Sequence, residues 1–226
     1  MTYKIQKDYT KQTFSFGYML GICNGDGYMR KCGSGITVMT HSPDLGESTA
    51  KHWNNWTGLI AGHKQYQRVK QAPYQKEPKL ATEYHTFCNS YEISRFLVTL
   101  KFGKKKSTIP NVVIESKNKR FIYGFLSGYF DSDGGISLCR VKAHNSLQWN
   151  RRVRCFFADE NIKNQIKQLL INEGLNVGEY FRKNRDTWEL YITRNKDILL
   201  FAKYIGFQMQ SKKEKLKELL KTIGGK

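Results

Sequence analysis

The sequence is poor in cysteine, proline and acidic side chains, and it lacks long apolar runs. No stretch of eighteen or more apolar residues occurs in its 226 residues, so no membrane-spanning helix is expected. The N-terminus has no apolar segment after its first lysines, which argues against a secretory signal. The five cysteines form no CxxC pair and have no zinc-site spacing. We therefore expect free thiols and an intracellular protein, in a prokaryotic cytoplasm or an organelle.

The shortage of acidic residues leaves a large positive charge. Lysine and arginine number 38 against 19 acidic residues, which gives a formal net charge of +19 spread along the chain. A folded domain this basic typically binds a polyanion, because neutralising phosphates supplies much of the affinity. A merely soluble basic protein and a protein that binds acidic membranes are the alternatives. No amphipathic membrane-lying helix stands out, so the charge favours nucleic acid.

One segment of the chain occurs twice. Phe14–Gly27 and Phe121–Gly134 align without a gap at a constant offset of 107 residues. The phenylalanine, two glycines and the final Asp-Gly pair recur at the same positions, while Gly25 corresponds to Ser132. A repeat of this length indicates two related halves.

The segments that follow the two copies also correspond, since each motif precedes two strand-like stretches, a helix, two more strands and an amphipathic helix. In the first half the assigned segments are Gly35–Thr40, Asp44–Leu59, Lys64–Lys70, Thr82–Cys88 and Tyr91–Lys101. In the second half they are Arg151–Phe157, Asn161–Glu173, Val177–Lys183, Thr187–Thr193 and Lys196–Ile205, with a last helix at Lys212–Thr222. The sequence thus predicts an α+β protein of two pseudo-symmetric αββαββα halves, 1–103 and 120–226, joined by a Lys-rich linker, 104–119.

If each motif copy is a helix, its small residues share one face, spaced four residues apart. A glycine costs a helix about 1 kcal/mol relative to alanine, so a repeated stripe needs a physical reason. Small side chains let two helix backbones approach closely, and the partner of one stripe is most simply the other. We predict that the halves dock through these helices with pseudo-twofold symmetry. The predicted interface positions are Gly17, Gly21, Gly25, Gly124, Gly128 and Ser132.

Each predicted helix stops at an Asp-Gly pair, which places Asp26 and Asp133 at the negative ends of the two helix dipoles. Two helices side by side bring these carboxylates together, where like charges repel. Divalent cations resolve that repulsion, and hard ions such as Mg²⁺ prefer carboxylate oxygens. A phosphodiester bound between the metals is the substrate for two-metal hydrolysis. The alternative, in which each Asp-Gly is only a turn, does not explain why it ends a glycine-striped helix twice.

The repeated motif resembles that of the LAGLIDADG homing endonucleases. Its nine residues are Met19–Gly27 in the first copy and Leu126–Gly134 in the second. The eighth position is the catalytic, metal-binding acid of that family and corresponds to Asp26 and Asp133. The sixth position, often aspartate, is Asn24 in the first copy and Asp131 in the second. Because the family uses it structurally, Asn24 does not argue against catalysis.

The resemblance implies a monomer that lays two antiparallel sheets as a saddle across double-stranded DNA. It implies cleavage across the minor groove, 3′ overhangs, and a long, mostly asymmetric target site. Mg²⁺ is the implied cofactor, with Mn²⁺ or Ca²⁺ able to replace it for binding, and Gly25 and Ser132 are assigned to the metal site with the two acids. The family keeps basic residues beside the site, which implies catalytic roles for Lys106 and for Lys212 or its neighbour Lys213. A solvated lysine is the alternative at each of these positions. The chain is shorter than an intein would be, so an intron-encoded, free-standing enzyme is expected.

Strand-like stretches rich in arginine, lysine, glutamine and tyrosine suit the DNA-facing side of such a saddle. Arginine and glutamine read base edges in the major groove, whereas lysine mostly contacts phosphate. A solvated polar sheet face is the alternative at each single position, and a shift of one residue in register would reverse the assignments. The predicted DNA-binding residues are Arg30, Lys64, Tyr66, Arg68, Lys70, Arg140, Lys142, Arg152, Arg154, Arg182 and Arg185.

Two other functions fit the same scaffold. An intron RNA maturase keeps or loses the acids, so intron RNA is an alternative partner. A DNA-binding regulator that does not cleave predicts a damaged acid in at least one motif, and both acids are present here. No RNA-binding module of the paired-aromatic or GXXG kind is evident. Metal-dependent cleavage of DNA is therefore the favoured prediction.

Overall fold

The computed structural model describes residues 7–30, 33–70, 79–100, 102, 108–143 and 146–224. Within these residues no helix combines the length and apolar character needed to cross a membrane. All strand pairs are antiparallel, and the strands form two separate four-stranded sheets.

The first half begins with the first motif helix and has the predicted αββαββα order. Its elements are α1 (Phe14–Gly25), β1 (Gly27–Met29), β2 (Gly35–Thr40), α2 (Pro43–Thr57), β3 (Gly62–Lys70), β4 (Lys79–Asn89) and α3 (Tyr91–Thr99). The Thr13 side chain caps α1 by accepting a hydrogen bond from the Phe16 amide at 3.1 Å. Pro43 stands in the first turn of α2, where its missing N–H costs nothing.

A short helix connects the halves, and the second half repeats the order of the first. The elements are α4 (Asn111–Ile114), α5 (Lys119–Asp133), β5 (Gly134–Ala143), β6 (Ser146–Phe157), α6 (Glu160–Asn172), β7 (Gly178–Arg182), β8 (Thr187–Ile192), α7 (Asn195–Leu200), a π-helical turn (Phe201–Ile205) and α8 (Gln210–Gly224). The Asn118 side chain caps α5 and that of Asp159 caps α6. The domain boundary at 104–119 stays a prediction, and 104–107 lie outside the described residues.

The two sheets have the same strand order, which confirms the predicted fold of two related halves. The order is β1-β2-β4-β3 in the first sheet and β5-β6-β8-β7 in the second. The main difference is the first hairpin of each sheet. β1 and β2 pair over only three residues each, whereas β5 and β6 pair from Gly134 with Cys155 out to Ala143 with Ser146. The predicted strand Arg151–Phe157 is therefore the inner part of a longer one.

The core lies between the helices and the sheets and passes through the contact between α1 and α5. Phe16, Phe121 and Phe125 are fully buried there. Phe16 stacks on Trp56 with ring centroids 4.7 Å apart, and Phe121 packs against the same phenylalanine at 5.2 Å. Since one continuous core joins both halves, the two motif helices keep a fixed orientation relative to each other.

Candidate active site

The glycine stripes bring the backbones of α1 and α5 into direct contact. A Cβ added at Gly17 would overlap the Phe121 carbonyl oxygen, and one at Gly21 would overlap that of Phe125. On α5, a Cβ at Gly124 would overlap the carbonyl oxygen of residue 14, and one at Gly128 that of residue 18. Only glycine fits at these four positions, so the stripes set the separation of the two helices.

The same contact continues to the ends of both helices, where the two acids lie. A Cβ added at Gly25 would lie 2.6 Å from the Ser132 Cβ and 2.7 Å from a carboxylate oxygen of Asp133. Helix α1 ends at Gly25, with Asp26 as its C-cap, and α5 ends at Asp133. The structure thus places both motif acids at adjacent helix ends, as the sequence predicted.

The charges of both acids act on a tyrosine of α5. Burial raises the pKa of Tyr129, and the charges of Cys155, Asp133 and Asp26 among others raise it further. Both acids therefore lie within electrostatic range of one side chain near the end of α5. Lys212 is also affected by Asp26 and Asp133, although at that lysine the strongest effect is burial.

A cleft of about 540 Å³ opens beside Asp26. Its lining includes Ser132, Lys212 and Asp131 from the second half, together with residues of the first sheet such as Glu83. Acids, a hydroxyl and an amine thus share one cavity at the junction of the halves. Hydrolysis of a phosphodiester uses such a combination of oxygens that hold a metal cation and a positively charged side chain.

Lys212 enters the cleft from the first turn of α8. Its Nζ donates a hydrogen bond to the Phe130 carbonyl oxygen at 3.1 Å and another to that of Asp131. These carbonyls belong to the last turn of α5, the negative end of its dipole. Burial lowers the pKa of Lys212, while the nearby acids oppose that shift. The other predicted lysine, Lys106, lies outside the described residues.

Asp131, at the sixth position of the second motif, is an organising residue whose partners the sequence did not reveal. Its Oδ2 accepts hydrogen bonds from the Tyr18 hydroxyl at 2.8 Å, the Gln208 amide at 2.8 Å and the Met209 amide at 3.1 Å. Burial raises the pKa of Asp131, and the hydrogen bond from Tyr18 opposes the rise. The partners are 77 to 113 residues away, so no local pattern could reveal them. The first motif has Asn24 at this position, buried, with an Nδ2 that has no hydrogen-bond partner among the described residues.

The donor set at the helix ends suits a hard divalent cation. Asp26 and Asp133 supply carboxylates, and the carbonyl groups of Gly25 and Ser132 lie at helix C-termini, where intrahelical partners run out. No cluster of three or more histidine, cysteine or acidic residues suited to a metal occurs in the described part of the chain. Water and a substrate phosphate would therefore have to complete the coordination of any ion held there.

The face of each sheet that points away from the helices, here called the outer face, carries most of the predicted DNA-binding residues. In the first sheet Ile36 pairs with Cys88 on the helix side, in the core, so residues that alternate with them lie on the outer face. By the register of β3 with β4, the outer face of β3 presents Lys64, Tyr66 and Arg68. Lys70, the last residue of β3, has the outer-face position in this register, but its side chain lies outside the described part of the chain.

Aromatic and acidic neighbours orient the arginines of this first outer face. The Arg30 guanidinium lies 5.0 Å from the Phe87 ring centroid, and its Nε donates to a threonine hydroxyl at 3.0 Å. Arg68 Nε lies 3.3 Å from a carboxylate oxygen of Glu83, which is itself 5% exposed. Residue type and alternation predicted the arginines, whereas these supporting partners were missed.

The second outer face repeats this arrangement with other residues. Arg154 and Arg182 both stack on Phe156, with guanidinium carbons 5.2 and 5.1 Å from the ring centroid. Glu189, which is 3% exposed, lies 3.1 Å from Arg182 Nε and 4.0 Å from an Arg154 amino nitrogen. Both sheets therefore present arginines that contact an aromatic ring or a buried carboxylate, and in the second sheet Arg154 and Arg182 contact both.

The other predicted DNA contacts of the second half divide between the two faces. Arg152 lies on the outer face, with its guanidinium carbon 5.2 Å from the Tyr191 ring centroid. Arg140 and Lys142 lie on the opposite face of β5. This is the face that, closer to the end of α5, carries core residues. Arg185 is exposed in the turn between β7 and β8. The geometry groups Arg152, but not Arg140 and Lys142, with the outer-face arginines.

Comparison with known proteins finds a family model that matches part of the chain and solved structures that share its fold. Residues 120–206 match the model of the LAGLIDADG-like domain. Over 117 residues the chain is 28% identical to the probable translation initiation factor IF-2 of Thermococcus kodakarensis. That match covers 52% of this chain and 9% of the relative, so the chain spans less than a tenth of that much longer protein.

Solved structures resemble the chain over most of its length. The homing endonuclease I-WcaI bound to its DNA recognition sequence has a TM-score of 0.59 at 18% identity and covers 92% of this chain and 88% of its own. I-DmoI in complex with DNA and Mn has a TM-score of 0.51 at 14% identity, covering 86% and 97%. Full-length DUF199/WhiA from Thermatoga maritima has a TM-score of 0.55 at 18% identity, and the match covers 96% of this chain and 62% of that one. At these identities the likeness shows the fold that LAGLIDADG homing endonucleases and WhiA share.

Proposed function

We propose that this chain is a member of the LAGLIDADG family and a site-specific endonuclease that cuts both strands of DNA with the help of a divalent metal. The observation that carries the proposal is the convergence of Asp26 and Asp133 at the ends of two helices whose backbones touch. A regulator that only binds DNA needs neither acid. The outer faces of both sheets, rich in arginine, supply a matching surface for a nucleic acid.

The two acids would hold the metal together with oxygens at Gly25 and Ser132. A divalent ion supplies an activated water and neutralises charge on a leaving oxygen. The contribution of the chain is to fix both carboxylates at one spacing, because the glycine stripes hold the two helix backbones in direct contact. Mg²⁺ is the proposed ion, with Mn²⁺ or Ca²⁺ able to replace it for binding. The I-DmoI complex with DNA and Mn supports a divalent metal on this fold.

Lys212 would stabilise the negative charge that develops on the phosphate. Its amine lies beside the cleft that contains Asp26, held by two carbonyl oxygens at the end of α5. A preoriented cation in a partly buried site stabilises such charge more strongly than a mobile lysine in water would. The proposal assigns Lys106 a similar role in the first half.

Because the two outer faces differ in their residues, we propose that the target site is long and mostly asymmetric. Arg30, Arg68 and Tyr66 lie on one face, and the Arg154–Arg182 pair lies on the other. We also propose that the cuts leave 3′ overhangs, that the protein acts as a monomer, and that it is intron-encoded and intracellular. Binding of intron RNA, with or without cleavage of DNA, is the second candidate.

The test is cleavage of a plasmid library of random inserts with Mg²⁺ or Mn²⁺ present. We expect double-strand cuts at one long site. Asp26→Asn and Asp133→Asn should each slow cleavage by about 10³-fold or more, since losing a carboxylate ligand removes several kcal/mol of stabilisation. Asp8→Asn is the control, because Asp8 is exposed and, within the described residues, its hydrogen bonds come from Thr10 in its own turn. Tight binding of DNA or RNA with no cleavage in any metal would instead establish a regulator or maturase.

A further inference from the structure

A single hydrogen bond ties the first motif helix to a carboxylate of the second. The Tyr18 hydroxyl donates to Asp131 Oδ2 at 2.8 Å, across 113 residues of sequence. The tyrosine is fully buried and the aspartate is 1% exposed. The aromatic ring also packs against His52, with ring centroids 4.0 Å apart, which limits its movement. A buried bond to a carboxylate in such surroundings fixes both partners.

The same carboxylate oxygen holds the segment that leads into α8. The amides of Gln208 and Met209 both donate to Asp131 Oδ2. Lys212 follows three residues later and donates to the carbonyl oxygen of the same aspartate and of Phe130. The path from Tyr18 to the amine in the cleft is therefore short and continuous. We call Tyr18, Asp131 and the two amides the clamp.

Among the described residues, the clamp is present on one side of the pseudo-twofold axis only. The repeat offset of 107 residues relates Tyr18 to Phe125 and Asp131 to Asn24. Phenylalanine has no hydroxyl to donate, and the Asn24 Nδ2 is buried without a hydrogen-bond partner among the described residues. Thus the side of the molecule that lacks Lys212 also lacks both side chains of the clamp.

We infer that the clamp is a positioning device for Lys212 and makes the two cleavage events depend on different residues. This inference rests on the proposed function. Tyr18 and Asp131 act by holding α8 so that its lysine faces the cleft. Loss of the clamp slows the cut served by Lys212 and leaves the other cut nearly unchanged.

The test compares the wild type with Tyr18→Phe on the target duplex recovered from the library, labelled on one strand or the other. Single-turnover rates are measured with saturating protein, so that weaker DNA binding or a smaller folded fraction affects both strands equally. We expect the rate for one strand to fall about tenfold relative to the other, since displacement of a catalytic group is costly. Tyr123→Phe is the matched control, because it removes a hydroxyl of α5 that donates to Glu173 at 2.7 Å, outside the clamp.

Hydrogen–deuterium exchange on the free protein gives a readout without cleavage. In Tyr18→Phe the amides of Gln208 and Met209 should exchange faster, and in Tyr123→Phe they should not. Faster exchange with an unchanged strand ratio would overturn the positioning role while leaving the endonuclease intact. Equal slowing of both strands would reduce the clamp to a structural contact. If the wild type cuts no DNA, the proposed function fails and the strand inference fails with it, and exchange then shows only whether the clamp holds α8.

Discussion

The first motif helix carries tyrosine, asparagine and glycine at three positions where the second carries phenylalanine, aspartate and serine. The glycines that touch the opposite backbone, by contrast, are present in both. Glycine is needed on both helices, because a side chain at these positions of either helix would overlap the backbone of the other. Polar ties are needed only where a segment must be held, and here that segment is the start of α8. The two halves thus share what sets their spacing and differ in what surrounds each acid.

The largest expected effect comes from breaking the part that the halves share. Gly21→Ala and Gly128→Ala should each lower the free energy of unfolding by about 3 kcal/mol or more, because the added methyl overlaps a backbone carbonyl that cannot yield. The helix propensity gained with alanine, about 1 kcal/mol, does not offset this. Denaturant unfolding measures both variants. Gly135→Ala is the control, since a Cβ there meets no atom within 4 Å. An effect confined to one helix would show that the contact is not symmetric.

A smaller effect is expected from His52, which only the first half has, since α6 contains no histidine. Burial lowers the pKa of His52 to about 4. As pH falls, His52 therefore takes up its proton more readily in the unfolded chain than in the folded one. The stability that the neutral ring contributes is fully present above the pKa of His52 in the unfolded chain. It is lost as pH falls toward the pKa of His52 in the folded chain. Between about pH 8 and about pH 5 the free energy of unfolding of the wild type should fall by about 2 kcal/mol more than that of His52→Gln.

Urea unfolding at both pH values measures this difference. The raised pKa of Asp131 acts with the opposite sign, but that carboxyl is present in both proteins, so its effect largely cancels in the comparison. Equal pH dependence in the two proteins would show that His52 is protonated as easily in the folded as in the unfolded chain.

The smallest expected effect separates the two faces of the β5–β6 hairpin. Arg152→Ala should weaken binding to the target DNA by about 1 kcal/mol, roughly fivefold, because the outer face is the proposed contact surface. Arg140→Ala removes an arginine from the same hairpin that also stacks on a ring, that of Trp149 at 4.7 Å. It should have less effect in a fluorescence-anisotropy titration. A larger loss for Arg140→Ala would place the DNA on the other side of the hairpin.

Patterns within a few residues were enough to predict most of the fold. β2 was predicted at its observed bounds, and α2 and α6 within two residues, because capping residues and hydrophobic periods are local. The outward extension of β6 to Ser146 was missed, since it depends on pairing with β5 beyond the core. The π-helical turn at Phe201–Ile205 was also missed, because the sequence there reads as an ordinary helix.

The site divides in the same way. Asp26 and Asp133 were evident because the motif repeats, and the outer-face residues of β3 because they alternate. The partners of Asp131 and the aromatic supports of the arginines depend on contacts between distant segments. The face of Arg140 and Lys142 depends on strand register, which a sequence leaves open by one residue.

The glycine contact between α1 and α5 also bears on how such a protein can change its target. Backbone atoms, which mutation does not alter, set the distance between the two acids. The side chains of the outer faces belong to strands and make no part of that contact. Under the proposed function, new base preferences could therefore accumulate on either sheet while the spacing between the two proposed cuts is inherited unchanged.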